Sequence, residues 1–305
     1  MALEVKVEFH KLAYHLYWVA RAAARTLGVS QILRRTAGPL AGRFVFNSAI
    51  NNGRPSVIQG HKMFLATRGR YPSPDMVVDR YEQATTDLFR QLLQPGMAVV
   101  DIGAHVGYFS LLAANLVGSG GRVYAFEPEP SNHLLLLRNI ELNGYTNILA
   151  LRKAVSSTSG PTDLFLSALD SGSHSIHAAG ARGVTGTARV EATTLDAFLA
   201  AEGWPQVDLV KIDVEGAEGA VLEGMGHLLD RCRDLKLVVE FCPLLLQLMG
   251  VSPSALLDKL ASLGFTVHVI DDRRGVLPPE AINMSSLTND LLKQERYVNL
   301  FCSRE

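Results

Sequence analysis

Carboxylates recur at the ends of short apolar runs in this chain, and glycines follow two of them. The first run is Val99-Val100-Asp101-Ile102-Gly103-Ala104-His105-Val106-Gly107-Tyr108. A strand that ends in an acid and turns on glycines into a helix brings bare backbone and unpaired N–H groups up to a ligand. A dinucleotide fingerprint would place its glycines at 103, 105 and 108, but here those positions hold Gly103, His105 and Tyr108. His105 stands where a pyrophosphate needs bare backbone, so a nucleoside ligand without a diphosphate fits the segment better. Glu127 closes a second run, Arg122-Val123-Tyr124-Ala125-Phe126-Glu127. In doubly wound sheets an acid at that place accepts hydrogen bonds from ribose hydroxyls.

The third segment is Leu209-Val210-Lys211-Ile212-Asp213-Val214-Glu215-Gly216-Ala217-Glu218. Two acids two residues apart at a strand end share a face, about 7 Å apart at Cα. Such a pair can position an acceptor and take its proton, or hold a cation. Equally, one of them can pair with Lys211 or cap the helix that follows. His174, in Ser171-Gly172-Ser173-His174-Ser175, titrates near neutrality and sits in a polar stretch that could cover an acceptor. A surface histidine in a loop is the equal alternative. Glu240 closes a fifth run at the same edge.

These residues need a scaffold that gathers strand ends. Strands are predicted over 97–102, 122–127, 147–154, 207–213, 235–241, 265–270 and 297–302, with helices over 109–117, 131–143, 217–229 and 254–263 between them. Ser131 is the expected cap of the second of these helices and Gly144 its stop. The alternation points to an α/β doubly wound, mostly parallel sheet of seven strands, its last strand antiparallel. Residues 156–206 interrupt it as a Gly/Ser-rich insertion with short strands at 163–166 and 187–192. Upstream, a helix is predicted over 12–27, a loop over 37–56, a strand over 57–67 and a helix over 80–93. The organisation is thus an N-terminal extension, 1–80, and a main domain, 81–305.

The 305 residues, 48% hydrophobic and 19% charged, suffice for a full core and exclude a disordered chain. Three cysteines, none in a CxxC pair, argue against a disulfide scaffold or structural zinc and for a reducing compartment. The net charge of −1 is unevenly spread: 1–80 hold 12 basic and 4 acidic residues, 81–305 hold 17 and 26. The basic extension reads as a solvated face or one docked on the acidic remainder. It is also the candidate for peripheral contact with membrane phospholipid. Tyr14, Tyr17 and Trp18 of the 12–27 helix suit an interface, although packing is the commoner use of such residues, and that helix is the candidate for pairing in a homodimer. No run approaches the roughly 18 apolar residues of a membrane span, and Glu4 and Glu8 do not fit a signal peptide. The expected localisation is cytoplasmic, with membrane association through the extension as an addition.

Together, Asp101–Tyr108, Val123–Pro128, Asn139–Gly144 and Lys211–Glu218 resemble the FkbM family of S-adenosylmethionine-dependent methyltransferases, as do Tyr81-Glu82, Pro95-Gly96-Met97 and Val238-Val239-Glu240. The resemblance spans roughly 78–245 and leaves 1–60 aside. It implies a seven-stranded class I methyltransferase fold, S-adenosylmethionine as donor, S-adenosylhomocysteine as product, and a hydroxyl acceptor on a sugar or polyketide-like small molecule. Family members often carry Asn where this chain has His105. On this reading Asp101 orients the methionine ammonium, the turn of Gly103, His105, Gly107 and Tyr108 receives the carboxylate, and Glu127 holds the ribose. Asn132, Ala154 and Val155 lie near adenine, with Asp213 also at the cofactor. Glu215 and Asp213 are the candidate bases, with His174 behind them, and no metal is assigned.

The expected partner is a small-molecule acceptor, a glycan or lipid-linked sugar among the candidates. The alternatives are a nicotinamide-dependent oxidoreductase, disfavoured by the broken glycine fingerprint, and a non-catalytic binding protein, disfavoured by acids at 101, 127, 213 and 215. A nucleic-acid methyltransferase ranks lower, since stacking aromatics and an Asn-Pro-Pro-Tyr-type loop are not evident.

Overall fold

The computed structural model describes residues 55–65, 74–77, 79–167, 171–181 and 183–304. They fall into two compact units, with 55–65, 74–77 and 79–81 in one and residues from 82 onward in the other. The predicted helix over 12–27 lies outside the described residues. In the first unit the sequence predicts one strand over 57–67, and the structure has a hairpin, β1 (Ser56–Ile58) with β2 (His61–Met63). Gln59 and Gly60 both take positive φ, 49° and 85°, the two-residue turn that reverses a ribbon. The Gln59 N–H donates to Asp79 Oδ1 at 2.7 Å. One helical turn, α1 (Pro74–Val77), belongs to the same unit.

The second unit opens with α2 (Gln83–Leu92) and then alternates: β3 (Ala98–Ile102), α3 (Tyr108–Val117), β4 (Arg122–Phe126), α4 (Pro130–Asn143), β5 (Ile148–Leu151). An excursion follows, made of β6 (Ala154–Val155), β7 (Gly160–Ser167), β8 (Val184–Thr193) and α5 (Leu195–Ala201). Alternation resumes with β9 (Leu209–Ile212), α6 (Glu218–Glu223), α7 (Gly226–Arg231), β10 (Lys236–Phe241), α8 (Pro243–Leu248), α9 (Pro253–Ser262) and β11 (Thr266–Asp271). β12 (Gly275–Leu277), α10 (Met284–Gln294) and β13 (Val298–Ser303) complete it.

The main sheet runs β12-β11-β13-β10-β9-β3-β4-β5. β10, β9, β3, β4 and β5 are mutually parallel, and β13 lies antiparallel between β10 and β11. The doubly wound, mostly parallel sheet is present, with eight strands rather than seven. The eighth, β12, hairpins onto β11 and is too short to show a pattern. Chain order reverses between β3 and β9, because β3 leads outward to β4 and β5 while β9 leads the other way to β10. Ligands of open α/β sheets bind at the carboxyl edge of that reversal.

The two faces differ. Val100, Ile102, Phe126, Val210, Ile212 and Val239 belong to a buried apolar cluster that includes Phe198 of α5 and Val221 of α6. On the opposite face Asp101 pairs across with Lys211, and Glu240 with Asn299, and all four are buried. Strand alternation places this polar row on one side of an otherwise apolar sheet.

Local differences have local causes. The predicted third strand, 147–154, stops at Leu151, and Ala154–Val155 join β8 in a separate three-stranded sheet, β6-β8-β7. Both strands predicted in the insertion are present and longer, as β7 and β8, and α5 follows them. α4 begins one residue early, and its cap is Glu129, not Ser131: Glu129 Oε2 accepts the Asn132 N–H at 2.6 Å. Gly144 ends it in the left-handed conformation at φ 69°. The helix predicted over 217–229 is two, because Gly224 packs on the Ser156 carbonyl and Asp196 captures the N–H groups of His227 and Leu228 at 2.8 and 2.9 Å.

Candidate active site

The turn after β3 is held in an unusual backbone conformation. Gly103, His105 and Gly107 have φ of 86°, 51° and 97°. A Cβ on Gly103 would lie 1.8 Å from the Asp213 carbonyl oxygen, and one on Gly107 2.7 Å from Leu136 Cδ1. Both positions require glycine. The N–H groups of Gly103 and Ala104 donate to the Phe126 carbonyl, and the Asp213 N–H to the Ile102 carbonyl. The ends of β3, β4 and β9 are thereby joined, which brings Asp101, Glu127 and Asp213 to one edge.

Glu127 is buried, 6% exposed, and its two oxygens accept the N–H groups of His105 and Glu129, both at 2.8 Å. Burial pushes its pKa up to about 7, against the pull of those bonds. The His105 N–H is thus spent on Glu127, and what His105 shows at the turn is its ring. Ring Nε2 lies 3.1 Å from the Ser171 hydroxyl, and Asn132 Nδ2 donates to the Ser171 carbonyl at 2.8 Å. Burial and nearby His174 and Lys211 lower the His105 pKa to about 3, so the ring is neutral. Tyr108 is buried, with its hydroxyl 3.0 Å from Thr86 Oγ1.

Asp101 lies below the turn. Oδ2 accepts the Ser110 hydroxyl at 2.6 Å, while Oδ1 is buried with no hydrogen-bond partner. Its pKa is raised by burial, partly offset by Lys211. Lys211 is 3% exposed; its Nζ stands 2.7 Å from Asp213 Oδ2 and 4.8 Å from the centre of the Phe109 ring. Burial opposes its charge, yet Asp213, Glu82 and Asp101 together hold its pKa above that of an ordinary lysine.

Asp213 and Glu215 do not share a strand face, since β9 ends at Ile212 and both acids lie in the following loop. Glu215 is left-handed, φ 53°, and Gly216 follows at 96°. Glu218 shapes this loop: its Oε1 accepts the Gly216 N–H at 3.0 Å and the Val214 N–H at 3.4 Å. Burial raises its pKa to about 7. The Ser175 hydroxyl donates to the Glu215 carbonyl at 3.1 Å, so the 171–181 segment touches both the glycine turn and the acid loop. His174 Nδ1 accepts the Ser167 N–H at 3.0 Å, which leaves the proton of its neutral ring on Nε2. Glu240, buried at the end of β10, has an unpartnered Oε2 and a raised pKa caused by burial and by Asp213, Glu215 and Glu218. Ala154 and Val155 are buried in the second sheet.

The structure therefore gathers Asp101, Gly103, His105, Gly107, Tyr108, Glu127, Asn132 and Asp213 around one turn, with Glu215 on the adjoining loop. Sequence reasoning offers Lys211 only as a pairing alternative, gives Glu218 no role and misses Ser171. A lysine inside the apolar run Leu209–Ile212 is itself a signal, because it must bring a counter-ion, whereas nothing marks Ser171. Among the described residues no group of three His, Cys, Asp or Glu could hold a metal ion, and no described helix is long and apolar enough to cross a membrane. The buried unpartnered Asp101 oxygen and the strand-end Glu127 fit the ammonium and ribose of a nucleoside-bearing amino acid, whereas the expected carboxylate donors of the turn, the N–H groups of Gly103, Ala104, His105 and Gly107, are spent within the protein.

The chain is similar to known methyltransferases. The family description "Methyltransferase FkbM domain" matches residues 101–267. A hexuronic acid methyltransferase, AglP, of Haloferax volcanii is 26% identical over 151 residues, covering 49% of this chain and 59% of that protein. A protein-L-isoaspartate O-methyltransferase of Aeropyrum pernix is 46% identical over 56 residues, 18% of this chain and 22% of that protein. The chain thus spans less than two thirds of either relative. Among solved structures, an S-adenosylmethionine-dependent O-methyltransferase of Thermotoga maritima aligns at TM-score 0.41 and 14% identity, over 78% of this chain and 67% of that one. A methyltransferase of Streptococcus mutans in complex with SAH aligns at TM-score 0.41 and 11% identity, over 73% and 97%.

Proposed function

The chain belongs to the FkbM methyltransferase family, with S-adenosylmethionine as its donor, and from that premise we propose that it methylates a hydroxyl of a sugar-bearing small molecule. The observation that supports the reading is the joining of three strand ends, which brings Asp101, Glu127 and Asp213 to one edge; on this reading Asp101 and Glu127 serve the cofactor and Asp213 and Glu215 the acceptor. The Haloferax relative is named a hexuronic acid methyltransferase, which supports a sugar acceptor.

When bound, S-adenosylmethionine supplies a methyl group on a sulfonium, so no further activation of the leaving group is needed. The chain's residues do the rest. Asp101 Oδ1 faces the ammonium and Glu127 the ribose hydroxyls. Asn132 and the Ser171 backbone close over that end, with Ala154 and Val155 as the candidate adenine neighbours. On the acceptor side an alcohol is a weak nucleophile until it loses its proton. Asp213, paired with Lys211, orients the hydroxyl, and Glu215 takes the proton as the methyl leaves sulfur and bonds to oxygen. His174, with Nδ1 already accepting, serves as a hydrogen-bond donor from Nε2 rather than as the base.

The test uses tritium-labelled S-adenosylmethionine with methyl β-D-glucuronide, which offers both hydroxyls and a carboxylate. An alkali-stable label, an ether, is expected. An alkali-labile label, an ester, overturns the hydroxyl reading. Isothermal titration should show saturable cofactor binding that is lost in Glu127→Ala, and absence of binding to folded wild-type protein overturns the site assignment.

A further inference from the structure

We propose that an apolar groove beside the Asp213–Glu218 loop binds the hydrocarbon part of an amphiphilic acceptor, whose hydroxyl-bearing head lies at Asp213 and Glu215. The inference rests on the methyltransferase reading above and names the class of its acceptor.

The groove has a volume of about 630 Å³, within the range of small-molecule sites. Its position is the first argument. Gly216 and Ala217, which directly follow Glu215, form one wall, so groove and acid loop are continuous. A Cβ on Gly216 would lie 2.5 Å from Met249 Sδ and 3.4 Å from Leu245 Cβ; the loop packs against α8 and the residue that follows it.

The lining is the second argument. Ala220, Leu246, Leu248, Met249, Val251 and Leu256 supply apolar surface. Leu248 and Val251 are 56% and 39% exposed, two large side chains left to water on the same cavity. One exposed leucine is ordinary, but two on a single concave surface are the mark of a binding site. The polar side chains of the lining are His177, Glu223 and Lys259. His177 and Glu223 are exposed, and Lys259 Nζ lies 3.8 Å from Glu223 Oε1. Over the apolar part of this lining a sugar hydroxyl finds no partner, whereas a hydrocarbon chain gains by leaving water.

The third argument is room. A Cβ added at Gly219, on the first turn of α6, meets nothing within 4 Å, so the space begins at the helix backbone.

The test measures binding of n-dodecyl β-D-glucopyranoside, below its micelle concentration and with S-adenosylhomocysteine present, using methyl β-D-glucopyranoside as control. Wild type should bind the dodecyl glycoside saturably and the methyl glycoside at least a hundredfold more weakly, since each buried methylene is worth roughly fourfold in affinity. Gly219→Leu fills the groove from α6 and should weaken dodecyl binding at least tenfold, with the Kd for S-adenosylhomocysteine unchanged. Leu is also the better helix former, so the fold is not at risk, and Ala255→Phe fills the groove from α9 as a second check. Unchanged dodecyl binding in both folded variants, or equal binding of dodecyl and methyl glycosides by wild type, overturns the proposal. If S-adenosylhomocysteine binds and the dodecyl glycoside does not, the groove proposal falls alone. If the dodecyl glycoside binds and S-adenosylhomocysteine does not, the methyltransferase reading falls and the hydrocarbon site stands.

Discussion

Lys211 Nζ lies 2.7 Å from Asp213 Oδ2 at the point where β9 ends and the acid loop begins. The lysine is buried on the same sheet face as Asp101, to which it is directly cross-strand, and its charge is shared with Glu82. One cation thus stands among several carboxylates. It holds the Asp213 carboxylate in place, and it makes the polar face of the sheet tolerable inside the core.

Lys211→Met should therefore do more than remove a contact. Deleting one partner of a buried pair leaves uncompensated charge, a loss of about 3 kcal/mol, read as a lower urea midpoint. Lys211→Met with Asp213→Asn should cost less than the two single losses added together. Strict additivity in that cycle would show that the two residues do not act as a pair.

Glu127 predicts a pH dependence. Its pKa stands near 7 because it is buried, and a carboxylate accepts hydrogen bonds from hydroxyls better than its protonated form. Affinity for S-adenosylhomocysteine should rise as pH increases through about 7, and Glu127→Gln should bind more weakly with that step flattened. A wild-type affinity that is flat between pH 6 and 8 would contradict the ribose role.

Much of this was legible in the residues, for identifiable reasons. Buried parallel strands are continuous apolar runs, so β3, β4, β9 and β10 stand out, and the acids that close them stand out too. The glycine turn was legible because only glycine tolerates a Cβ position 1.8 Å from the Asp213 carbonyl. What could not be read depends on contacts distant in sequence. Ala154–Val155 leave the third strand because β8, some forty residues on, offers them a ladder. Glu129 rather than Ser131 caps α4 because Glu127 draws the Glu129 N–H inward. Asp213 and Glu215 lose their shared face because Glu218 pulls the loop into left-handed turns, and strand periodicity carries no trace of that.

Gly103 and Gly144 make a paired test. Both have positive φ, 86° and 69°, but a Cβ at Gly144 meets nothing within 4 Å. Gly144→Ala should cost only the left-handed penalty, about 1 kcal/mol. Gly103→Ala adds a backbone clash and should cost about 3 kcal/mol or more, with loss of cofactor binding even where folded protein is recovered. Equal thermal shifts for the two variants would mean that the turn is not packed on the acid loop.

Glu218 gives the last prediction. Its carboxyl, 2% exposed, accepts the Gly216 and Val214 N–H groups, and burial raises its pKa to about 7. A folded pKa above the unfolded value means that folding favours the protonated form. Stability from this group is full below about pH 4.5 and is lost as pH rises through about 7. Glu218→Gln keeps an acceptor for the two N–H groups and cannot ionise. It should match or exceed wild-type stability at pH 8 and lose that advantage at pH 5. Glu218→Ala instead strands the buried Gly216 N–H and the half-buried Val214 N–H, at about 1–3 kcal/mol, and releases the loop that carries Asp213 and Glu215. Methyl transfer should fall at least tenfold in Glu218→Ala, while S-adenosylhomocysteine still binds through Glu127. Chemical denaturation at the two pH values, read beside a transfer assay, checks both halves. A Glu218→Gln protein whose pH–stability profile superimposes on that of wild type would show that burial leaves the Glu218 pKa unchanged on folding.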